Sequence, residues 1–130
     1  MRLEHADLTI AKGWYAGPWN SDLPVAIGYA NAGVDEPHVH TQITEIYLVA
    51  RGTSKIRVEQ GTITLHAGDM IIVEPGEAHT FLSNSPDYFH VVLHTPALSG
   101  DDARRDKQPV SRARLGLEPL QSENHLAQTT

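Results

Sequence analysis

From Leu23 to Thr95 the chain is interrupted every few residues: short apolar-rich runs alternate with glycine, proline or asparagine, and no window sustains a 3.6-residue period. Runs of four to eight residues bounded by turn formers are strands, and several in succession build an all-β sandwich or barrel. Val25-Ala-Ile-Gly-Tyr29 puts Val25, Ile27 and Tyr29 on one face, and the next run carries His38 and His40. Glu45–Ala50 follows, closed by Arg51-Gly52. Ser54–Glu59 sets Ile56 and Val58 against Lys55, Arg57 and Glu59, and Gln60-Gly61 is read as a tight link to Thr62–His66. His66-Ala-Gly-Asp69 turns into the apolar strand Met70–Val73. Glu74-Pro75-Gly76-Glu77 suits a type II turn, with proline fixing φ at the first corner and glycine accepting positive φ at the second. His79–Leu82 and Tyr88–Thr95 are the last strands, separated by Ser83-Asn-Ser-Pro86. No internal repeat is visible.

A chain of 130 residues reads as one domain. Its organisation is an irregular N-terminal segment over 1–22, a β body over 23–100, and a polar tail or contact segment over 101–130. Trp14, Tyr15 and Trp19 in the first either pack over an open end of the body, the expected role, or line a pocket. Asp101–Lys107 is expected to form one or two helical turns. There is no cysteine, which excludes disulfides, thiolate catalysis and sulfur-ligated metals. Residues 1–100 carry five Lys or Arg against eleven Asp or Glu, so no basic stripe exists for a phosphate backbone and nucleic acid is not an expected partner. Met1–Asp7 lacks the apolar core of a signal peptide, and the longest apolar run, Ile46–Ala50, is too short to span a bilayer. The expectation is a soluble, cytoplasmic protein without a membrane partner.

The chemistry concentrates between Gly33 and Gly52. In a strand, residues i and i+2 share a face, so His38 and His40 present two imidazoles on one side. Glu45 has the wrong parity for the same strand, so Thr41–Thr44 must bend and return Glu45 from the next strand, with Tyr47 and Val49 on its face. His79 follows the Pro-Gly turn and can come alongside. Three imidazoles and one carboxylate, His38, His40, Glu45 and His79, form a set suited to one divalent transition metal ion: Mn, Fe, Ni, Co or Zn. Such an ion would keep positions open for an oxygen ligand and act as a Lewis acid.

These residues resemble the cupin superfamily in its small single-domain form (cupin-2 type). Gly33, His38, His40, Glu45 and Gly52 follow the first cupin motif, with Gly33 one residue closer to His38 than usual. Gly68-Asp69, Val73, Gly76 and His79 follow the second; Glu74 stands where proline is usual, Pro75 comes one place later, and Asn84 is displaced by one. The resemblance, over about residues 23–95, implies a double-stranded β-helix (jelly-roll) barrel and a homodimer formed through packed sheets. It also implies a range of functions: sugar-phosphate isomerase-like proteins, lyases, dioxygenases, decarboxylases and proteins of no known activity.

The leading expectation is a metal-dependent enzyme acting on a small oxygen-rich metabolite: a sugar acid, a sugar phosphate or a keto/hydroxy acid. The reaction would be isomerisation, elimination or dioxygen-dependent cleavage. The alternative is a non-catalytic small-molecule-binding or sensor protein. His90 is a candidate proton donor facing the metal, but the plainer reading places His90 and His94 on a sheet face exposed to solvent or to a partner subunit. Tyr47, a second candidate catalytic residue, and Phe81 either line a cavity or pack in the core. Gln42 either touches a metal-bound ligand or holds the bend. Arg51, Lys55 and Arg57 either bind a substrate anion or, as the alternation of Lys55 and Arg57 against Ile56 and Val58 favours, are solvated cross-strand charge. His5, His66 and His125 carry no assignment.

Overall fold

A computed structural model describes residues 1–33 and 35–120; His125 and the end of the expected tail lie outside the described residues. Among the described residues ten strands form two five-stranded antiparallel sheets. In chain order they are β1 (Lys12–Ala16), β2 (Ala26–Ala30), β3 (His38–His40), β4 (Thr44–Arg51), β5 (Thr53–Val58), β6 (Gly61–His66), β7 (Met70–Val73), β8 (His79–Asn84), β9 (Phe89–Thr95) and β10 (Lys107–Pro109). One sheet runs β1-β2-β9-β4-β7, and the other β10-β3-β8-β5-β6. This is the all-β double-stranded β-helix expected from the sequence. Among the described residues no helix is long and apolar enough to cross a membrane.

Alternation along the strands fills the space between the sheets. Tyr47 and Val49 of β4, Ile56 of β5, Leu65 of β6, Val73 of β7, Phe81 of β8 and Val92 of β9 join Tyr88 in one buried cluster. Between them, Lys55 and Leu48 stay on the outer faces. In β2 the face carrying Ile27 and Tyr29 points away from this interior and is covered by the N-terminal segment. There Tyr15 packs on Tyr29 at 4.7 Å between ring centroids, and the Asp7 N–H donates to the Tyr29 hydroxyl at 2.8 Å.

Both flanks add structure to the sheets. The N-terminal segment is without strand through Ala11 and then contributes β1, paired with β2 from Lys12↔Ala30 to Ala16↔Ile27. After β9 the chain forms helix α1 (Gly100–Asp106), the short helix expected there, and then β10, which pairs with β3 through Lys107↔His40 and Pro109↔His38. A 3₁₀ turn over Arg112–Leu115 buries Leu115, and Arg57 donates to the Leu115 carbonyl at 2.7 Å, so Arg57 is less solvated than expected.

The predicted turn at 74–77 is present: Gly76 has φ 86° and the Glu77 N–H donates to the Glu74 carbonyl. The β5–β6 link is shifted by one residue, with Val58 facing Gly61 across the hairpin. Gly52, between β4 and β5, has φ 73°, and a Cβ there would meet the Ser85 hydroxyl and lie 2.9 Å from the Tyr88 Cα. A left-handed side chain costs about 1–2 kcal/mol before any clash. Gly52→Ala is therefore expected to lower stability by more than about 2 kcal/mol in urea melts.

Candidate metal centre

β3 and β8 bring the first two histidines together, since His38 and His79 are direct partners in the register. Glu45 comes from the start of β4, after the bend at 41–43 that its parity required. All four side chains are buried: His38 4%, His40 5%, Glu45 3% and His79 0% exposed.

Each imidazole has its Nδ1 already engaged. His38 Nδ1–H donates to the Glu36 carbonyl at 2.9 Å and His79 Nδ1–H to the Glu77 carbonyl at 3.0 Å. His40 Nδ1 donates to Asp106 Oδ2 at 2.6 Å. A ring that donates from Nδ1 keeps Nε2 as the ligand nitrogen, and such outer partners fix the tautomer and ring angle of metal-bound histidines.

The three Nε2 atoms approach one oxygen. Glu45 Oε1 lies 2.9 Å from His79 Nε2, 3.0 Å from His40 Nε2 and 3.9 Å from His38 Nε2. Yet Glu45 Oε1 and His79 Nε2 are buried without a hydrogen-bond partner among the described residues. Buried polar atoms left unpaired are rare, because each costs its desolvation. Two ligand atoms on adjacent corners of an octahedron of radius about 2.1 Å lie about 3.0 Å apart, so the edges from Glu45 to His40 and His79 match one shared ion. His38, Glu45 and His79 have ligand atoms all within 4.8 Å of one another and could hold a metal ion. His40 joins this triad through Glu45.

The second oxygen of Glu45 is fully occupied. Its Oε2 accepts from the Tyr47 hydroxyl at 2.7 Å and from His94 Nε2 at 2.9 Å. Burial alone would raise the Glu45 carboxyl, but the His40, His79 and His94 rings hold it far below the ordinary carboxylate range. Burial likewise opposes charge on His40, yet Glu45 and Asp106 on either side raise that ring above its ordinary value. The centre thus draws positive charge, as a cation site must. Burial, then the Glu45 charge, pushes the Tyr47 phenol well upward, so its proton stays on the hydroxyl that steadies Glu45.

A cavity of about 290 Å³ opens from His38, His40 and Glu45 and is lined also by Trp14, Ile43, Tyr47, Phe81, His90 and His94. The plainer reading of His90 and His94 is corrected here. Both lie on the inward row of β9 with Val92 and not on an outer sheet face; His90 is 3% exposed. Tyr47 and Phe81 both line the cavity and pack in the core. The Gln42 side chain is exposed; only its backbone N–H serves the bend, donating to Asp106 Oδ1 at 2.6 Å. Trp14 packs edge-on against His94 at 5.1 Å, and Trp19 against Trp14 at 6.0 Å, so of the first-segment aromatics Trp14 walls the cavity and Trp19 backs it, while Tyr15 packs on Tyr29 outside it.

His94 and Asp106 are site residues that sequence reasoning missed. His94 had a signal, because antiparallel pairing of β9 with β4 sets it directly opposite Glu45. Asp106 had none: it sits 66 residues from His40, in a polar stretch with no motif.

His90 Nδ1 lies 2.6 Å from the Tyr88 hydroxyl. Burial lowers His90 to about 4 from the ordinary 6.5, whereas the unfolded chain keeps the ordinary value. Between those two pH values the unfolded chain binds the proton more readily, so stability is full above about pH 6.5 and declines toward pH 4, by at most about 3 kcal/mol from this group. His90→Gln is expected to flatten part of that decline in metal-free urea melts.

The family profile described as "Cupin domain" matches residues 27–95. This chain belongs to the cupin family. Among solved structures, this cupin is similar to the nucleoside dehydratase Pac13 of Streptomyces, at 19% identity over 76% of each chain with a TM-score of 0.60. It is similar also to KdgF from Halomonas sp., at 21% identity over 71% of this chain and 81% of that one (TM-score 0.57). A cupin-2 domain protein from Shewanella frigidimarina matches at 20% identity over 65% and 79% (TM-score 0.55). At these identities the likeness is one of fold. No curated protein matches the chain.

Proposed function

We propose that this cupin is a metal-dependent lyase that eliminates water from a small oxygen-rich metabolite of the sugar-acid, sugar-phosphate or keto/hydroxy-acid class. The observation that carries the reading is the unpaired Glu45 Oε1, facing imidazoles whose other nitrogens are already donated. His38, His40, Glu45 and His79 hold one divalent transition metal ion. When bound, that ion supplies Lewis acidity toward an oxygen-rich ligand.

The remaining groups divide the proton work of an elimination. Tyr47 keeps Glu45 oriented by donating to Oε2. His94 donates Nε2–H to the same oxygen, and its Nδ1 makes no hydrogen bond among the described residues, so it is the nitrogen that takes a proton. His90, a neutral imidazole held at Nδ1 by Tyr88, is placed to hydrogen-bond the departing oxygen from Nε2. Trp14, Phe81 and Val92 keep the cavity walls apolar and limit water. The similarity to a nucleoside dehydratase supports elimination over isomerisation or dioxygen-dependent cleavage.

The test is incubation of Mn(II)-, Fe(II)-, Ni(II)- and Zn(II)-loaded protein with a panel of hydroxy and oxo acids and sugar phosphates, read by mass spectrometry. A product lighter by one water supports the reading. Ligands recovered unchanged, or turnover that persists in metal-free Glu45→Gln protein, sink it.

We read the protein as a homodimer. Leu48, Met70 and Ile72 are exposed by 41%, 55% and 47% on the outer face of one sheet, where β4 pairs with β7. Light scattering is expected to report a dimer, and Leu48→Lys with Met70→Lys a monomer.

A further inference from the structure

The chain has three lysines, and two of them line the metal-centre cavity. That placement stands out in a chain of net charge −6 whose other cations are mostly engaged. Arg2, Arg104, Arg105 and Arg114 pair with carboxylates, Arg57 and Arg112 donate to backbone carbonyls, and Arg51 lies over the Phe89 ring. Lys107 makes no ion pair among the described residues. Lys12 reaches only Asp35 Oδ2, at 3.9 Å, while the other oxygen of Asp35 is taken by Thr80 and the Phe81 N–H.

Their backbone positions explain why both reach the cavity. Directly paired residues on neighbouring strands share a face. Lys12 pairs with Ala30, and Ala30 with His90, so Lys12 ends the inward row that contains His90. Lys107 pairs with His40, so it belongs to the inward row of a proposed metal ligand. β1 and β10 are edge strands of the two sheets, and it is these edges, not β6 or β7, that contribute to the cavity lining. One lysine therefore stands on each lip of the mouth. The lining carries no formal charge apart from Lys12, Lys107 and Glu45.

We propose that Lys12 and Lys107 form a seat for the anionic end of the substrate, so that the site takes a small polyhydroxylated anion and rejects its neutral counterpart. Ammonium groups are point charges with three donors each and can grip either a carboxylate or a phosphate; the shared requirement is a negative terminal group. A cavity of about 290 Å³ restricts the ligand to the small end of the range seen for binding pockets. This inference rests on the reading of the cavity as a substrate site, and it adds to that reading the two residues that receive the substrate's anionic group.

The test uses the full chain loaded with Mn(II), with metal content measured in every sample. Calorimetric titration compares D-glucuronate, D-glucose 6-phosphate, D-glucose and the methyl ester of glucuronate. The expected result is binding of at least one anion, about tenfold or more tighter than glucose or the ester and weakened by added salt. Lys12→Met and Lys107→Met should each weaken it about tenfold while leaving Mn(II) content unchanged, and Lys12→Arg should restore most of the loss. The better-bound of glucuronate and the phosphate identifies the anionic group. Equal binding of the ester and glucuronate, binding of neither anion, or unchanged affinity in the double Met variant overturns the seat. A wild-type chain that holds no Mn(II) overturns the metal reading instead, and lysine-dependent glucuronate binding to that metal-free chain still upholds the seat.

Discussion

Glu45→Gln is expected to weaken metal binding by more than about 100-fold, beyond the 10- to 100-fold typical of losing an outer partner. Among the described residues the carboxylate is the only anion facing the three Nε2 atoms, and it works through both oxygens. Oε1 sits 2.9 and 3.0 Å from two imidazoles, and Oε2 accepts from Tyr47 and His94. An amide has no negative charge, and its NH₂ would be a donor facing either the Tyr47 hydroxyl or the inner nitrogens. His79→Ala should act similarly, since His79 is fully buried and its Nε2 has no other partner. The same logic sets the effect of metal on stability. An ion held at about 100 times its dissociation constant adds about 2.7 kcal/mol. Chelation should therefore lower the melting temperature of the wild type by roughly 10 °C. The Glu45→Gln variant should show no chelator effect. A wild type whose melting temperature does not move once metal is shown to be removed would contradict the proposed site.

Asp106→Ala is expected to cost about 3 kcal/mol or more of stability and about 10- to 100-fold in metal affinity. One carboxylate, 1% exposed, satisfies a cluster of donors. Oδ2 takes the His40 Nδ1–H, and Oδ1 takes the backbone N–H of Gln42 and Ile43 and the Thr41 hydroxyl. Removing it leaves buried donors unpaired in the bend that separates His40 from Glu45, and it frees the His40 ring to rotate or change tautomer. Asp106→Asn distinguishes the two effects. Its carbonyl oxygen can still serve Gln42 and Ile43, but its NH₂ would face the His40 Nδ1–H, so most of the stability should return while metal affinity stays low. Urea melts and metal titrations on both variants separate these outcomes.

Much of the centre was legible because strand parity is a local rule. His38-x-His40 shares a face in any strand, Glu45 had to return from the next one, and Pro75-Gly76 announced the turn that delivers His79. What parity cannot supply is which inward face meets which. His90 and His94 carried the right periodicity, but whether their side of β9 looked into the cavity or out of the sheet depended on pairing with β4, a non-local fact. The flanks were less readable for a different reason. β1 and β10 are short edge strands with no apolar alternation of their own, and Asp106 looks like any other acid beside a helix end. Their structure follows from what the body offers them: an unpaired edge, and a cluster of donors in need of an acceptor.

The short strand β3 carries two of the four proposed ligands but meets β8 at only the His38↔His79 pair, and its other edge is completed by Lys107–Pro109. On the ribosome, His38 through His79 are synthesised well before that closing strand and before Asp106. Newly made chain thus displays the imidazoles without the clamp that orients His40, and a well-formed proposed site must wait until the segment after α1 has emerged. Filling of the proposed site would accordingly come late in the maturation of this cupin.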